Sequence, residues 1–300
     1  MQPRKLITIS GPTAIGKTSF SVAFAKHLAC PILSGDARQF YKEMEIGTAV
    51  PTIEEKQDVP HYFIQHKSIH EAYSVGDFEK DAIRLLNTLY RDHELVILVG
   101  GSNLYTNAVV HGLDAFPEVP DHVSTKWQKE FESKGLSFLQ DALKRLDPAY
   151  FKSVDVQNHV RLLRALGVCT ASGKPYSSFL GKPKKSRLFE TISIELTMSR
   201  EELYKRINTR VDIMIANGLV EEAKRLAPYK DLNALQTVGY RELFPYLEGK
   251  QSLEESVENI KKNTRRFAKR QLTWLRNHPV MHKLPYNTPI DNGLRDLLGI

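Results

Sequence analysis

The sequence predicts an α/β protein: a parallel sheet that carries a phosphate loop and is interrupted by a helical insertion. Three observations predict it. Residues 11–18, Gly-Pro-Thr-Ala-Ile-Gly-Lys-Thr, match G-x-x-x-x-G-K-[ST] in full, between the apolar, β-rich run at 6–9 and a helix-compatible run at 19–26. Residues 1 to about 112 alternate strand-like and helix-like segments, the pattern of a parallel sheet with crossover helices. From Asp114 the texture becomes helical, and residues 189–196 then return to strand alternation. A helical insertion between two strands of one sheet accounts for all three. Residues 1–113 and 190–300 are therefore read as a P-loop NTPase-like core and 114–189 as the insertion domain.

Taken in order, the strand at 6–9 enters the loop Gly11, Pro12, Thr13, Ala14, Ile15, Gly16, Lys17, Thr18. Its glycines let successive backbone N–H groups turn inward around phosphate oxygens, and the following helix adds the positive end of its dipole. Lys17 supplies a point charge, and Thr18 a hydroxyl for a phosphate-bound Mg²⁺. A short strand at 31–34 ends in Gly35-Asp36-Ala37-Arg38-Gln39, polar groups at the carboxyl end of a strand, where open α/β sheets bind ligands. A helix near 77–91 leads to the buried strand Leu95-Val-Ile-Leu-Val99, which runs into Gly100-Gly101-Ser102. A nucleotide-hydrolysing P-loop protein usually ends such a strand in an Asp that helps hold Mg²⁺. Its absence leaves a loop that grips phosphate with incomplete equipment for hydrolysis, so a diphosphate leaving group suits it as well as ATP does.

In the insertion, helices are expected near 122–133, 136–146 and 157–171, divided by Gly135 and by Asp147-Pro148. A basic loop comes next, from Gly173-Lys174-Pro175 to Ser186, with Lys182, Lys184 and Lys185. From 199 to about 276 the pattern is helical, and the tail after Pro279 is weakly patterned. No internal repeat or low-complexity tract is present.

Composition sets the broad class. With 41% hydrophobic and 26% charged residues over 300, an ordinary soluble globular chain is expected. The first residues enter a strand directly, leaving no room for a signal peptide, and no apolar stretch approaches the roughly 20 residues of a membrane span. Cys30 and Cys169 stand alone, without ligand spacing, so the cytoplasm is the expected compartment. Net charge is +7, and residues 261–276 hold seven cations and no acid. Helical spacing spreads these cations over more than one face and leaves Phe267, Leu272 and Leu275 to pack, so the segment reads either as a solvated face or as a surface for a phosphate backbone.

Asp36 has two readings: a turn residue capping the next helix, or a general base projecting into the crevice beside the phosphate loop. Ser102 leaves the end of a neighbouring strand in the same way, so both side chains can face one cavity. A carboxylate that takes a proton while a hydroxyl holds the nucleophile in line suits a substitution that expels diphosphate.

These residues resemble a family, the tRNA dimethylallyltransferases of the bacterial type. The resemblance rests on the phosphate loop, Ser34-x-Asp36-x-x-Gln39-x-Tyr41 with Ile46-Gly47-Thr48-Ala49, and Val99-Gly100-Gly101-Ser102-x-Leu104-Tyr105. It continues through Arg161-x-x-Arg164-Ala165-Leu166, Arg210-Val211-x-x-Met214 with Gly218, Leu219 and Glu222, Val238-Gly239-Tyr240-Arg241-Glu242, and Lys269-Arg270-Gln271-x-Thr273-Trp274, in that order. It implies transfer of a dimethylallyl group from dimethylallyl diphosphate to N6 of the adenosine 3′-adjacent to the anticodon, on a base flipped out of its stack. It also implies a helical insertion domain that closes over the tRNA anticodon stem-loop, and Mg²⁺ as cofactor. By motif position, Asp36 accepts the N6 proton, Ser102 holds the reacting centre, and Arg210 joins residues 11–18 on the diphosphate. Asp36, Ala37, Arg38, Gln39, Ser102, Arg161, Arg164, Gln236, Gly239 and Arg241 meet tRNA. No membrane is implied, and a monomer is expected. Three positions depart from the family pattern: Ser102 for its usual Thr, Ala37 for Ser, and Gly167 for Glu. The competing readings are a prenyltransferase of free adenine nucleotides and a P-loop kinase, against which the missing strand-end Asp counts.

Overall fold

A computed structural model describes residues 4–181, 186–278 and 280–300. The chain divides into two compact units, Met1–His111 with Arg187–Ile300, and Gly112–Ser186. The basic-loop residues Lys182, Lys184 and Lys185 lie outside the described residues.

The first unit is built on a six-stranded, wholly parallel sheet of order β3-β2-β4-β1-β5-β6. Its strands are β1 (Lys5–Ser10), β2 (Ile32–Ser34), β3 (His61–Tyr62), β4 (Leu95–Val99), β5 (Glu190–Thr197) and β6 (His282–Pro285). The central strands are continuous apolar runs because both sheet faces are covered, as parallel sheets require. One face packs Ile7, Ile9, Ile97, Ile192 and Ile194 against Phe20 and Phe24 of α1 (Lys17–Leu28) and Leu203 and Ile207 of α8 (Arg200–Ala216). The other packs Leu6, Leu33, Val96 and Leu98 against Phe78, Ala82 and Leu86 of α3 (Val75–Leu89) and Val109 of α4 (Asn103–His111). Thr52 and Ser74 start α2 (Ile53–Lys56) and α3 with capping boxes. The weakly patterned tail is a correction: it supplies β6, paired in parallel with β5, and α12 (Asn292–Leu298). A four-residue edge strand is too short to show periodicity.

A separate helical core joins Val211 of α8, Leu219 and Ala223 of α9 (Leu219–Leu226), Tyr240, Leu243 and Phe244 of α10 (Tyr240–Leu247) and Ile260 of α11 (Leu253–Asn277), together with Met44. The buried face of α11 is Ser256, Ile260, Ala268, Gln271 and Leu275. Phe267, expected to pack, is exposed, with the Arg270 guanidinium 5.7 Å from its ring centroid. Two cations of this helix are tied to other parts of the chain or to an acid: Lys261 to Asp212 at 2.8 Å and Glu258 at 3.1 Å, and Arg265 to Asn208 at 2.6 Å. Lys262, Arg266, Lys269, Arg270 and Arg276 are exposed.

The second unit is helical. Its long helix α5 (Asp121–Leu146) leaves helical geometry at Gly135 (φ 76°), the break expected from sequence. Asp147 caps the one-turn α6 (Pro148–Phe151) through the Tyr150 N–H and accepts from the backbone N–H and hydroxyl of Ser177, which accounts for an aspartate only 1% exposed. The core joins Leu139 and Leu143 of α5 to Leu162, Ala165 and Leu166 of α7 (His159–Ser172). Gly167 has a packing reason: a Cβ there would lie 3.1 Å from Val119 Cγ1, so a longer side chain would displace Val119.

Candidate active site

The sheet register brings three loops together. Ile9 pairs with Val99, and Val99 with Ser34, so the chain leaves β1, β4 and β2 side by side at the carboxyl edge of the sheet. The Gly35 N–H donates to the Val99 carbonyl (2.7 Å) and the Gly100 N–H to the Ile9 carbonyl (3.3 Å), locking the strand ends. A Cβ on Gly100 would sit 2.7 Å from the Gly35 carbonyl carbon, so only glycine permits that approach.

The phosphate loop spans Gly11 to Gly16, with φ of 152°, 64° and 104° at Gly11, Ala14 and Gly16. Pro12, Ala14 and Ile15 are buried, and the Thr13 N–H is spoken for by Gln271 (2.9 Å). Lys17 opens α1 and donates to the carbonyls of Gly11 (3.0 Å) and Pro12 (2.9 Å). Enclosure pushes its ammonium down to about 8, with Asp36 opposing and Arg210 reinforcing the shift. Arg210, one turn of α8 beyond Arg206, has its guanidinium lowered by burial, with Asp36 again opposing. Among the described residues it makes no hydrogen bond. Two enclosed, under-compensated cations beside a phosphate loop that opens a helix make a receptor for a polyanion.

The turns that carry Asp36 and Ser102 meet. The Asp36 Oδ1 accepts from the Arg38 N–H (3.0 Å), and the Ser102 hydroxyl accepts from the Ala37 N–H (3.2 Å). The serine hydrogen stays available, and Oδ2 accepts no bond from the described residues. A methyl group on Gly101 would lie 2.8 Å from Gln271 Nε2, 3.7 Å from Lys17 Nζ and 4.0 Å from Asp36 Oδ2. The carboxylate, the lysine and the buried amide thus converge on one point. The turn-capping reading of Asp36 is met by Oδ1, while Oδ2 lies on the Gly101 side.

The remaining candidate residues divide by commitment. The Gln39 side chain is internally satisfied, accepting from Ser34 Oγ (3.2 Å) and donating to the carbonyls of Thr48 (3.3 Å) and Ala49 (3.0 Å). Arg38 donates to the carbonyls of Asn233 (2.8 Å) and Ala234 (3.0 Å). Gln236 is exposed and donates to the Lys230 carbonyl (2.7 Å), Arg241 is exposed, and the Gly239 N–H is bonded to Glu242 Oε2 (2.8 Å) in a buried position. In the second unit Arg161 and Arg164 are exposed, one turn apart on α7, with Arg164 5.5 Å from the Phe116 ring centroid.

Three residues carry site structure that no sequence pattern assigned. Glu222, 1% exposed, accepts from the N–H groups of Glu45 (3.1 Å), Ile46 (2.9 Å) and Gly47 (2.9 Å) and from the Tyr240 hydroxyl (2.6 Å). It moors the segment whose carbonyls at 48 and 49 hold Gln39. Arg206 bonds the Ala14 carbonyl (3.0 Å) and lies 5.1 Å from the Tyr286 ring centroid, bracing the phosphate loop. Gln271 spans two loops. Glu222 and Gln271 belong to the family motifs, but their roles depend on partners far away in the chain. The strand on the other flank of β1 also carries a carboxylate: Glu195, buried, is paired across the sheet with Ser10 and lies 3.5 Å from Lys283 Nζ.

The family model for IPP transferase matches residues 39–278. A tRNA dimethylallyltransferase of Christiangramia forsetii is 55% identical over 274 residues, 91% of each chain. The chain belongs to the IPP transferase family. Solved members share its fold: the crystal structure of the full-length tRNA isopentenylpyrophosphate transferase of Bacillus halodurans superposes with TM-score 0.72 at 37% identity, covering 99% of this chain and 95% of that one. A eukaryotic dimethylallyltransferase acting on tRNA superposes with TM-score 0.79 at 26% identity, covering 98% and 76%. No helix among the described residues of this IPP transferase is long and apolar enough to cross a membrane.

The state of Lys17 gives this site a pH signature. Below about pH 8 the free protein holds the ammonium; above it the proton is lost unless a phosphate ligand retains it. Affinity for dimethylallyl diphosphate should therefore fall about tenfold per pH unit above about 8, as expected for one proton coupled to binding. Lys17→Arg, which does not titrate in that range, should remove the limb. Calorimetry across about pH 7 to 9.5 reads this directly, and a flat wild-type profile would remove Lys17 from the receptor. The sign for folding is opposite: between about 8 and the ordinary 10.5 the unfolded chain alone holds the proton, so stability rises with pH there.

Proposed function

We propose that this enzyme transfers a dimethylallyl group from dimethylallyl diphosphate to N6 of the adenosine 3′-adjacent to the anticodon of tRNA, releasing diphosphate. The observation that carries the reading is the convergence at Gly101 of a carboxylate oxygen that accepts no hydrogen bond from the described residues, a serine hydroxyl and a cationic phosphate loop. The N6 lone pair attacks the allylic C1, the C1–O bond breaks with its electron pair going to diphosphate, and N6 gives up a proton to Asp36 Oδ2. The Ser102 hydroxyl holds the amine in line. Lys17, Arg210 and the amides of the loop bind the diphosphate and stabilise the charge that grows on it.

Mg²⁺ would add positive charge to the departing diphosphate. The Thr18 hydroxyl, which bonds no described residue, is the group that would hold it. No cluster of three or more His, Cys, Asp or Glu able to hold a metal occurs among the described residues. One hydroxyl plus substrate oxygens suits an ion that keeps most of its waters. The two buried, unpaired thiols, Cys30 and Cys169, suit a reducing compartment, the cytoplasm.

Radiolabelled dimethylallyl diphosphate offered with anticodon stem-loop RNA, with free adenosine nucleotide, or with RNA plus ATP tests the reading. Label should enter the RNA alone, without ATP consumption. Label on free nucleotide, or a requirement for ATP hydrolysis, would replace it with one of the competing readings.

For tRNA, Arg161, Arg164, Arg38, Gln236, Gly239 and Arg241 are proposed contacts, Gln39 and Ala37 shape the turn that carries Asp36, and the exposed cations of α11 offer a surface for the phosphate backbone. Replacing Arg266, Lys269 and Arg270 by Ala should flatten the salt dependence of tRNA binding by about 0.7 to 0.9 in log–log slope for each phosphate no longer neutralised. Arg265→Ala, whose guanidinium is held by Asn208 (2.6 Å), should leave the slope alone. A triple variant with the wild-type slope would make α11 a merely solvated face.

A further inference from the structure

The buried face of α11 is apolar or small except at Gln271, which is 5% exposed. Burying an amide is costly unless both its ends are satisfied. Here both are: Oε1 accepts from the Thr13 N–H (2.9 Å), and Nε2 donates to the Gly101 carbonyl (2.9 Å). One planar side chain therefore joins the phosphate loop to the turn that precedes Ser102. The pairing demands an acceptor and a donor on the same group, which glutamine has and ionised glutamate or methionine lacks. It also explains Gly101, since a Cβ there would press to 2.8 Å on Nε2.

We infer that Gln271 is a positioning residue that holds the phosphate loop in register with the Gly101–Ser102 turn, so that the allylic carbon carried on the diphosphate meets the amine held by Asp36 and Ser102. The inference rests on the transfer reaction proposed above. Gln271 touches neither substrate's charge, so its loss should appear in the chemical step and not in tRNA affinity.

The test is the single-turnover transfer rate of the wild type, Gln271→Glu and Gln271→Met, on one tRNA and dimethylallyl diphosphate, over about pH 6 to 9, with tRNA affinity measured separately. Wild-type turnover in this assay tests the reaction itself; only the variants test the clamp. At about pH 8 the glutamate is ionised and turns an oxygen on the Gly101 carbonyl, and the rate should fall about 10²-fold, the cost of displacing reacting groups by roughly 1 Å. Burial at this 5%-exposed position raises a carboxyl above its ordinary range, so towards pH 6 it regains a hydrogen to donate and the variant-to-wild-type ratio should climb. Taking the ratio at each pH cancels the pH dependence that both proteins share. Gln271→Met should lose a comparable factor at every pH, with tRNA affinity unchanged in both variants. A Gln271→Glu ratio that does not move with pH, or a Gln271→Met rate equal to wild type, overturns the inference; if the glutamate variant does not fold, the methionine variant decides alone.

Discussion

Asp36→Asn is expected to lower single-turnover transfer by about 10² to 10⁴, the range lost with a general base, while tRNA affinity stays within about twofold, a rim-level change. The substitution is diagnostic because of how the carboxylate is divided. Oδ1 accepts from the Arg38 N–H (3.0 Å), a bond that an asparagine carbonyl oxygen keeps, so the turn and the Ala37-to-Ser102 bond survive. Only the oxygen that faces Gly101 is exchanged for an amide unable to take a proton. Rapid-quench transfer with enzyme and tRNA in excess over labelled dimethylallyl diphosphate reads the chemical step. An unchanged rate would return Asp36 to the role of a turn residue and send the N6 proton elsewhere.

Glu222→Ala should destabilise the protein more than any substitution in the phosphate loop. It strands three backbone N–H groups, at 45, 46 and 47, and the hydroxyl of the fully buried Tyr240. At roughly 1–3 kcal/mol for each buried group left unsatisfied, with water reaching some of them, a loss of about 3–5 kcal/mol is expected. Burial and the ionised Glu222 both push the Tyr240 hydroxyl well above the ordinary tyrosine range, so tyrosine stays the donor. Since the moored segment also holds Gln39 through the Thr48 and Ala49 carbonyls, whatever folded protein remains should transfer more slowly. Thermal unfolding of wild type, Glu222→Ala and Tyr240→Phe measures this, the last expected to cost less because it removes one bond and strands no amide. An unfolding midpoint for Glu222→Ala within a degree or so of wild type would contradict the mooring role.

Much of the fold was legible because its signals are local. The phosphate loop, the Leu95–Val99 run and the Gly135 break each declare themselves within a few residues, through backbone geometry or periodicity. So did two candidate groups of the site, since Asp36 and Ser102 both stand where a strand gives way to a turn. The short strands β3 and β6 were not legible: two and four residues carry no period, and they exist because a neighbouring strand offers an edge. Phe267 misled because helical spacing identifies a face by its apolar residues, and here the partner surface selected Ala268 and Gln271 beside the expected Leu272 and Leu275.

By itself, then, the sequence determined the class of fold, the phosphate-loop motif, and the ordered motifs that mark an IPP transferase, because each rests on residues close together in the chain. Only the tertiary structure decided which polar residues are committed. Gln39 spends its amide on the chain's own carbonyls, Glu222 moors a segment more than 170 positions away, and Gln271 joins two loops that α11 reaches only once the sheet has formed. The physical reason is that a buried hydrogen bond is fixed by distance in space, and residue type announces the capacity to make it without naming the partner.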